Sequence, residues 1–312
     1  MIRLFSHIEE SPLCTAHVII LLNKCGTLAR FKLILIESLL LQSLAIAIGA
    51  CIGSFLNVVI YRVPAGLSIL YPPSRCPHCL RKLAPRDNIP IIGWFLIRGK
   101  CRYCHTPVSW RYPAIEALTA FLFWCVAAYF GTSQPIIILG FYAAFLSWLL
   151  ALSMIDIDTQ TLPNSLTQSG LVVGLIYQGS LAFTNSGDRT NFAVNLLAGN
   201  LISGIIGAVV AIWLLELIRI GGRLWLQKEA MGGGDPKLAA MLGMWLGWQN
   251  ILLAILVASA IGTVIGAIAF ATKNLGKQQP IPFGPFLALG GAISLFFGKQ
   301  VISTYLTWFG LS

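Results

Sequence analysis

Apolar residues arrive along this chain in long runs separated by short polar connections, with one exception: the stretch Arg62 to Arg111 is polar and rich in turn residues. A helix needs about 20 consecutive apolar residues to cross the hydrocarbon core of a bilayer. By that measure the runs predict eight spans, near 33–61, 114–131, 135–155, 163–184, 193–218, 236–248, 251–271 and 282–308. The run 236–248 is short for a full crossing and is expected to be tilted or partly re-entrant. Residues 1–32 hold only the brief apolar run Val18 to Leu22, so they are read as an N-terminal extension with neither a span nor the cleavage site of a removable signal. The expected fold is an all-α polytopic membrane protein of about eight transmembrane helices. Its first span is 33–61, a small loop domain occupies 62–113, and a membrane core fills 114–312.

Composition sharpens this picture. The 312 residues are 57% hydrophobic and 10% charged, with a mean hydropathy of +0.80, which excludes a water-soluble domain because such a surface would expose large apolar patches. The net charge of +10 matters through its distribution. Nine basic residues (Arg62, Arg75, Arg81, Lys82, Arg86, Arg98, Lys100, Arg102, Arg111) face one acid, Asp87, in the polar stretch, and that bias places it in the cytoplasm. Alternating sides from there puts the basic connections 219–237 and 273–277 inside as well; only Lys24, Arg30 and Lys32 fall outside. The basic residues thus report topology and contact with membrane lipid, and no nucleic-acid partner is expected.

Four of the eight cysteines lie in that loop, as Cys76-Pro-His-Cys79 and Cys101-Arg-Tyr-Cys104, with 21 residues between the pairs. Two-residue spacing lets both thiolates of each pair face one tetrahedral Zn²⁺, and the separation is close to that of zinc ribbons. Reduced thiols or redox pairs are the alternatives, while a reducing compartment disfavours disulfides. Four thiolates would close the site, so zinc here would hold a zinc-ribbon-like domain together, and neither His78 nor His105 is needed as a ligand. Cys14 and Cys25 read as ordinary thiols.

Only 11 acids are present, and two groups of them stand at predicted span ends on the same side. In Ala230-Met-Gly232-Gly-Gly234-Asp235-Pro-Lys237, glycines permit φ > 0 and close approach, Asp235 is expected at the N-cap and Pro236 at the first helical position. Asp156 and Asp158 end another span ahead of Pro163. Either group alone reads as a capped or solvated helix end, but an ionisable residue at a membrane span is a candidate functional group. Two carboxylates brought together share a proton, and one can deprotonate water while the other protonates or polarises a peptide carbonyl. The expected catalytic pair is Asp156 and Asp235, with Asp158 as the alternative to Asp156 and Gly232 and Gly234 in support. Glu116, where the loop re-enters the membrane beside Tyr112, could orient an arginine or accept a proton from an amine. Gly49, Ala50, Gly53 and Ser54 predict a close helix contact, and Asn57 a helix–helix hydrogen bond.

These features together resemble the bacterial prepilin peptidases, the bifunctional type IV leader peptidases and N-methyltransferases of the GxGD class of membrane aspartic peptidases. The likeness covers residues 40–310 and rests on Gly53-Ser-Phe-Leu-Asn-Val-Val-Ile-Tyr-Arg62, both cysteine pairs, Asp87-Asn-Ile-Pro90, Tyr112-Pro-Ala-Ile-Glu116, Asp156-x-Asp158 with Leu162-Pro-Asn164, and Gly232-x-Gly-Asp235. The resemblance implies that the catalytic aspartates are Asp156 and Asp235. It further implies an inner-membrane enzyme with cytoplasmic active sites, which cuts the basic leader of prepilins or pseudopilins after glycine. The new N-terminal residue would then be methylated from S-adenosylmethionine. No glycine-rich strand–turn–helix fingerprint is visible, so no residues are assigned to that cofactor. A different class of reading, a secondary transporter with a zinc-bound cytoplasmic gate, expects ion-binding acids near mid-membrane between repeats. A metal-anchored scaffold without chemistry would leave the paired acids and the glycine turn without a role.

Overall fold

The structure, a computed structural model, describes residues 12–185, 200–226, 232–272 and 282–310. Eight α-helices and no strand occur among the described residues: α1 (Pro12–Arg62), α2 (Ile92–Leu96), α3 (Arg111–Phe130), α4 (Ile136–Thr159), α5 (Asn164–Asn185), α6 (Leu201–Leu226), α7 (Asp235–Ala271) and α8 (Gly284–Trp308). Six are long and apolar enough to cross a membrane: α3, α4, α6, α7, α8 and the Leu35–Arg62 part of α1. The chain is therefore a multi-pass membrane protein.

The expected count of about eight spans is not established, for two physical reasons. Helix α5 coincides with the run at 163–184 but carries Asn164, Thr167, Gln168 and Gln178, and it is not among the six. The runs 236–248 and 251–271 belong to one helix, α7, interrupted at Gly247, whose φ of 78° and ψ of 170° are non-helical. Only glycine enters that region readily. The interruption takes helical partners from nearby carbonyls, and Gln178 of α5 meets the need: its Nε2 donates to the carbonyls of Met244 (2.8 Å) and Trp245 (3.3 Å). Leaving such a carbonyl unpaired away from water costs about 1–3 kcal/mol.

Because lipid tails are as apolar as leucine, helices in a membrane associate through close packing and hydrogen bonds rather than through the hydrophobic effect. The interior follows that rule. Phe145, Leu146 and Leu152 of α4, Leu238, Met241 and Leu242 of α7 and Leu287 of α8 are buried. Helix α6 packs on α7 where Gly207 meets Gly243, a contact with no room for a Cβ on either side. Helices α1 and α3 meet through the expected small residues: a Cβ on Gly49 would strike Ala120 and Phe123, and one on Gly53 would strike Glu116 and Thr119. Asn57 supplies the expected helix–helix hydrogen bond, its Nδ2 donating to the Tyr112 carbonyl at 3.2 Å.

Candidate active site and cysteine cluster

Helix α4 ends because Gln160 takes a left-handed conformation (φ 52°), with its N–H donating to the Asp156 carbonyl at 2.9 Å. Asp156 and Asp158 therefore sit in the last turn, and the helical repeat of about 100° per residue separates them onto different faces. Asp156 points inward and is only 5% exposed, its Oδ2 accepting the Gly284 N–H at 3.0 Å. Asp158 points outward, its side chain 36% exposed. Arg111 grips it bidentately, Nη1 donating to Oδ1 at 2.7 Å and Nη2 to Oδ2 at 2.6 Å.

The glycine turn delivers the other acid. Helix α7 starts one residue earlier than expected: Leu238 N–H already donates to the Gly234 carbonyl at 3.0 Å, so Gly234 occupies the cap position and Asp235 the first helical one. None of Gly232, Gly233 and Gly234 has a positive φ, contrary to the expectation from the triple glycine. What Gly234 supplies is space, since a Cβ there would run into Leu162. That contact seats the start of α7 on the turn after α4, and Lys237 Nζ, donating to Asn164 Oδ1 at 2.8 Å, ties it to the start of α5. Asp235 is 4% exposed and near enough to Asp156 for their charges to interact. Both inward-facing carboxylates thus lie at helix ends, close enough for their charges to interact, while the third acid is engaged elsewhere.

Glu116, also buried, faces the loop. Its Oε2 accepts the Ile91 N–H at 2.6 Å. Ile91 has φ 62° and ψ −60°, a conformation that a β-branched residue holds only under constraint. No arginine hydrogen bond to Glu116 occurs among the described residues; Arg111, the arginine nearest in sequence, is committed to Asp158.

In the loop, two knuckles share one backbone pattern. Cys76 N–H donates to the Arg81 carbonyl, Leu80 N–H to Cys76 and Leu83 N–H to Ser74; Cys101, His105 and Val108 repeat these bonds with Thr106, Cys101 and Gly99. Leu80 and His105, each following the second cysteine of its pair, take the same left-handed turn with φ of 56° and 55°. The four sulfurs all lie within 4.8 Å of one another. Cys76 Sγ is 3.7 Å from Cys104 Sγ, and Cys79 Sγ 4.0 Å from Cys101 Sγ. A tetrahedral ion at about 2.3 Å from each sulfur would place them about 3.8 Å apart, so the donor set fits zinc. Hydrogen bonds from the Thr106 hydroxyl and backbone pull the Cys104 thiol down to about 6, whereas burial and the neighbouring thiols push Cys79 up to about 11. Beside the cluster, Arg102 Nε donates to both Asp87 oxygens, at 3.1 and 2.9 Å, with Nη2 also bound to Oδ1. This guanidinium holds the Asp87 carboxyl below its ordinary range.

The sequence did not single out Gly284 or Arg111 as partners of the aspartates. The only signal for Gly284 was its place between Phe283 and Pro285 at the head of an apolar run, and for Arg111 its position at the loop's end.

Comparison with known proteins matches the chain in two parts. Residues 47–130 match the family model described as the bacterial peptidase A24 N-terminal domain, and residues 143–267 match that of the type IV leader peptidase family. A prepilin leader peptidase/N-methyltransferase of Stutzerimonas stutzeri is 37% identical over 286 residues, covering 84% of this chain and 92% of the relative. Proteins of the same description from Aeromonas hydrophila (35% over 292 residues, 86% and 94%) and Pseudomonas aeruginosa (36% over 290 residues, 85% and 93%) are similar over the same extent. No solved structure matches the chain.

Proposed function

The chain belongs to the type IV leader peptidase family, and from that premise we propose that it removes the leader from prepilin or pseudopilin precursors with Asp156 and Asp235, then N-methylates the newly exposed residue. The observation that supports the assignment of the pair is the burial of both carboxylates at the ends of α4 and α7, close enough for their charges to interact. One carboxylate takes a proton from water as its oxygen attacks the scissile carbonyl carbon, and the other gives a proton to the carbonyl oxygen. Collapse of the tetrahedral intermediate breaks the C–N bond, and the amine leaves with a proton returned by the pair. The position of both acids at helix ends supports a reaction at the membrane surface and argues against an ion site at mid-membrane.

The basic loop supports a cytoplasmic face for these sites, in the inner membrane. Cys76, Cys79, Cys101 and Cys104 would hold one Zn²⁺, which would supply folding energy to the loop and, with four thiolates as its ligands, would not activate water. S-adenosylmethionine would supply the methyl group. Glu116, at the junction of loop and bundle, would orient the loop and take up the proton of the new amine.

The test is to incubate the purified protein with a synthetic prepilin and S-adenosylmethionine and to follow leader loss and methyl gain by mass spectrometry. Asp156→Asn and Asp235→Asn should each abolish leader loss in a folded protein. Cleavage retained by either variant overturns the pair.

A further inference from the structure

The start of α8 lies against Asp156, and its hydrogen bonds can be accounted for one by one. The first-turn N–H groups of a helix have no partner within it. Here Phe286 and Leu287 both donate to the Phe283 carbonyl at 3.1 Å, and Pro285 has no N–H. Among Gly284 to Leu287 the remaining donor, Gly284 N–H, is directed at Asp156 Oδ2, 3.0 Å away and buried. The positive end of the α8 dipole reinforces this bond to a carboxylate.

Glycine at this position is not explained by its backbone, because Gly284 does not have a positive φ. It is explained by the carboxylate: a Cβ built there would overlap Asp156 Oδ2 and Cγ. Donor and empty space act on the same group, from a helix 128 residues further along the chain. An aspartate carboxylate turns freely about χ2 unless something holds it. With Oδ2 held by Gly284, rotation of the group about χ2 is restricted.

We infer that Gly284 is a positioning residue for leader cleavage, fixing the rotation of the Asp156 carboxylate relative to Asp235 through its N–H and its missing Cβ. This rests on the reading of Asp156 and Asp235 as the catalytic pair. Gly284→Ala keeps the N–H but forces the carboxylate aside. A misplacement of about 1 Å costs on the order of 10²-fold in rate. The expected result is therefore a kcat for leader cleavage lowered ~10²-fold with KM unchanged and with methylation of a leader-free pilin intact. Gly140→Ala in α4, where a Cβ would meet nothing within 4 Å, is the control and keeps both activities.

A second measurement does not depend on the folding of Gly284→Ala. In the full-length protein, amide hydrogen exchange of the peptide containing Gly284 should be faster in Asp156→Ala than in the wild type, because the acceptor is gone. Unchanged exchange, or wild-type kcat in Gly284→Ala, overturns the inference. If Asp156→Asn still cleaves, the catalytic pair itself is wrong, and that result is distinct from an inactive Asp156→Asn beside a fully active Gly284→Ala.

Discussion

The cysteine loop and the helical bundle place functional groups by opposite means. In the bundle, Asp156, Asp235 and Glu116 are fixed by helices whose interiors are filled with leucine, phenylalanine and methionine and whose contacts leave no room for a Cβ at Gly53, Gly234 or Gly284. In the loop, order comes from a few strong points: four clustered thiols, the Asp87–Arg102 pair and the Arg62 guanidinium, which donates to the carbonyls of Ser68 (2.9 Å) and Pro72 (2.7 Å). A packed site loses geometry by fractions of an ångström when one residue changes. A stapled site loses it all at once when a staple is drawn.

The largest expected effect is on the packed side. Asp156→Asn and Asp235→Asn should each lower cleavage by at least ~10²–10⁴-fold, and the double variant should be little worse, because general acid and base act as a unit. Asp158→Asn should keep most of its activity, since its carboxylate is turned outward to Arg111. Initial rates on a prepilin peptide check all four proteins. Loss in Asp158→Asn with activity in Asp156→Asn would exchange the two assignments.

Next comes the removal of a staple. Cys76→Ser or Cys101→Ser should reduce bound zinc from close to one equivalent per chain to almost none, and limited proteolysis should then cut between residues 62 and 111. Methylation should fall further than cleavage, because the aspartates are held by the bundle. Metal analysis, proteolysis and mass spectrometry of the same preparations read the three outcomes; equal loss of both reactions would erase the contrast between the two regions.

Glu116 stands on the border and should behave as a hybrid. Glu116→Gln retains an oxygen that can accept the Ile91 N–H but loses the charge, so leader removal should persist while methyl gain declines. Glu116→Ala should be worse, because the half-buried Ile91 N–H loses its acceptor. Normal methylation in Glu116→Gln would leave this residue a purely structural clamp.

The smallest effect is a matter of pH. The Asp87 carboxyl is held below its ordinary range by Arg102, so the stability it lends the loop is complete above the unfolded value of about 3.9 and is lost as pH falls through the lower folded value. Asp87→Asn should therefore make the loop more protease-sensitive than the wild type at neutral pH. The gap should close as acid protonates the wild-type carboxylate. A gap that widens in acid would reverse the sign and remove the pair as a staple.

Much of this protein was legible in one dimension because membranes impose a one-dimensional rule. Run length and hydropathy determined an all-helical, multi-pass chain, and the spacing of Cys76, Cys79, Cys101 and Cys104 determined a metal-like cluster, since a two-residue separation is already most of a knuckle's geometry. The acids at helix ends were likewise visible as charges where charge is costly. Tertiary structure decided the rest. Whether Asp156 or Asp158 faces inward depends on the rotation of α4, which its packing against the other helices sets and its nearly uniform apolarity does not reveal. That Gly234 yields to Leu162, that Gln178 repairs the break at Gly247 and that Gly284 meets Asp156 are contacts between residues 66 to 128 positions apart, or between neighbouring turns whose approach only the assembled helices bring about. Local pattern says where a backbone can be helical; which faces meet is settled only when every helix must share the same small interior.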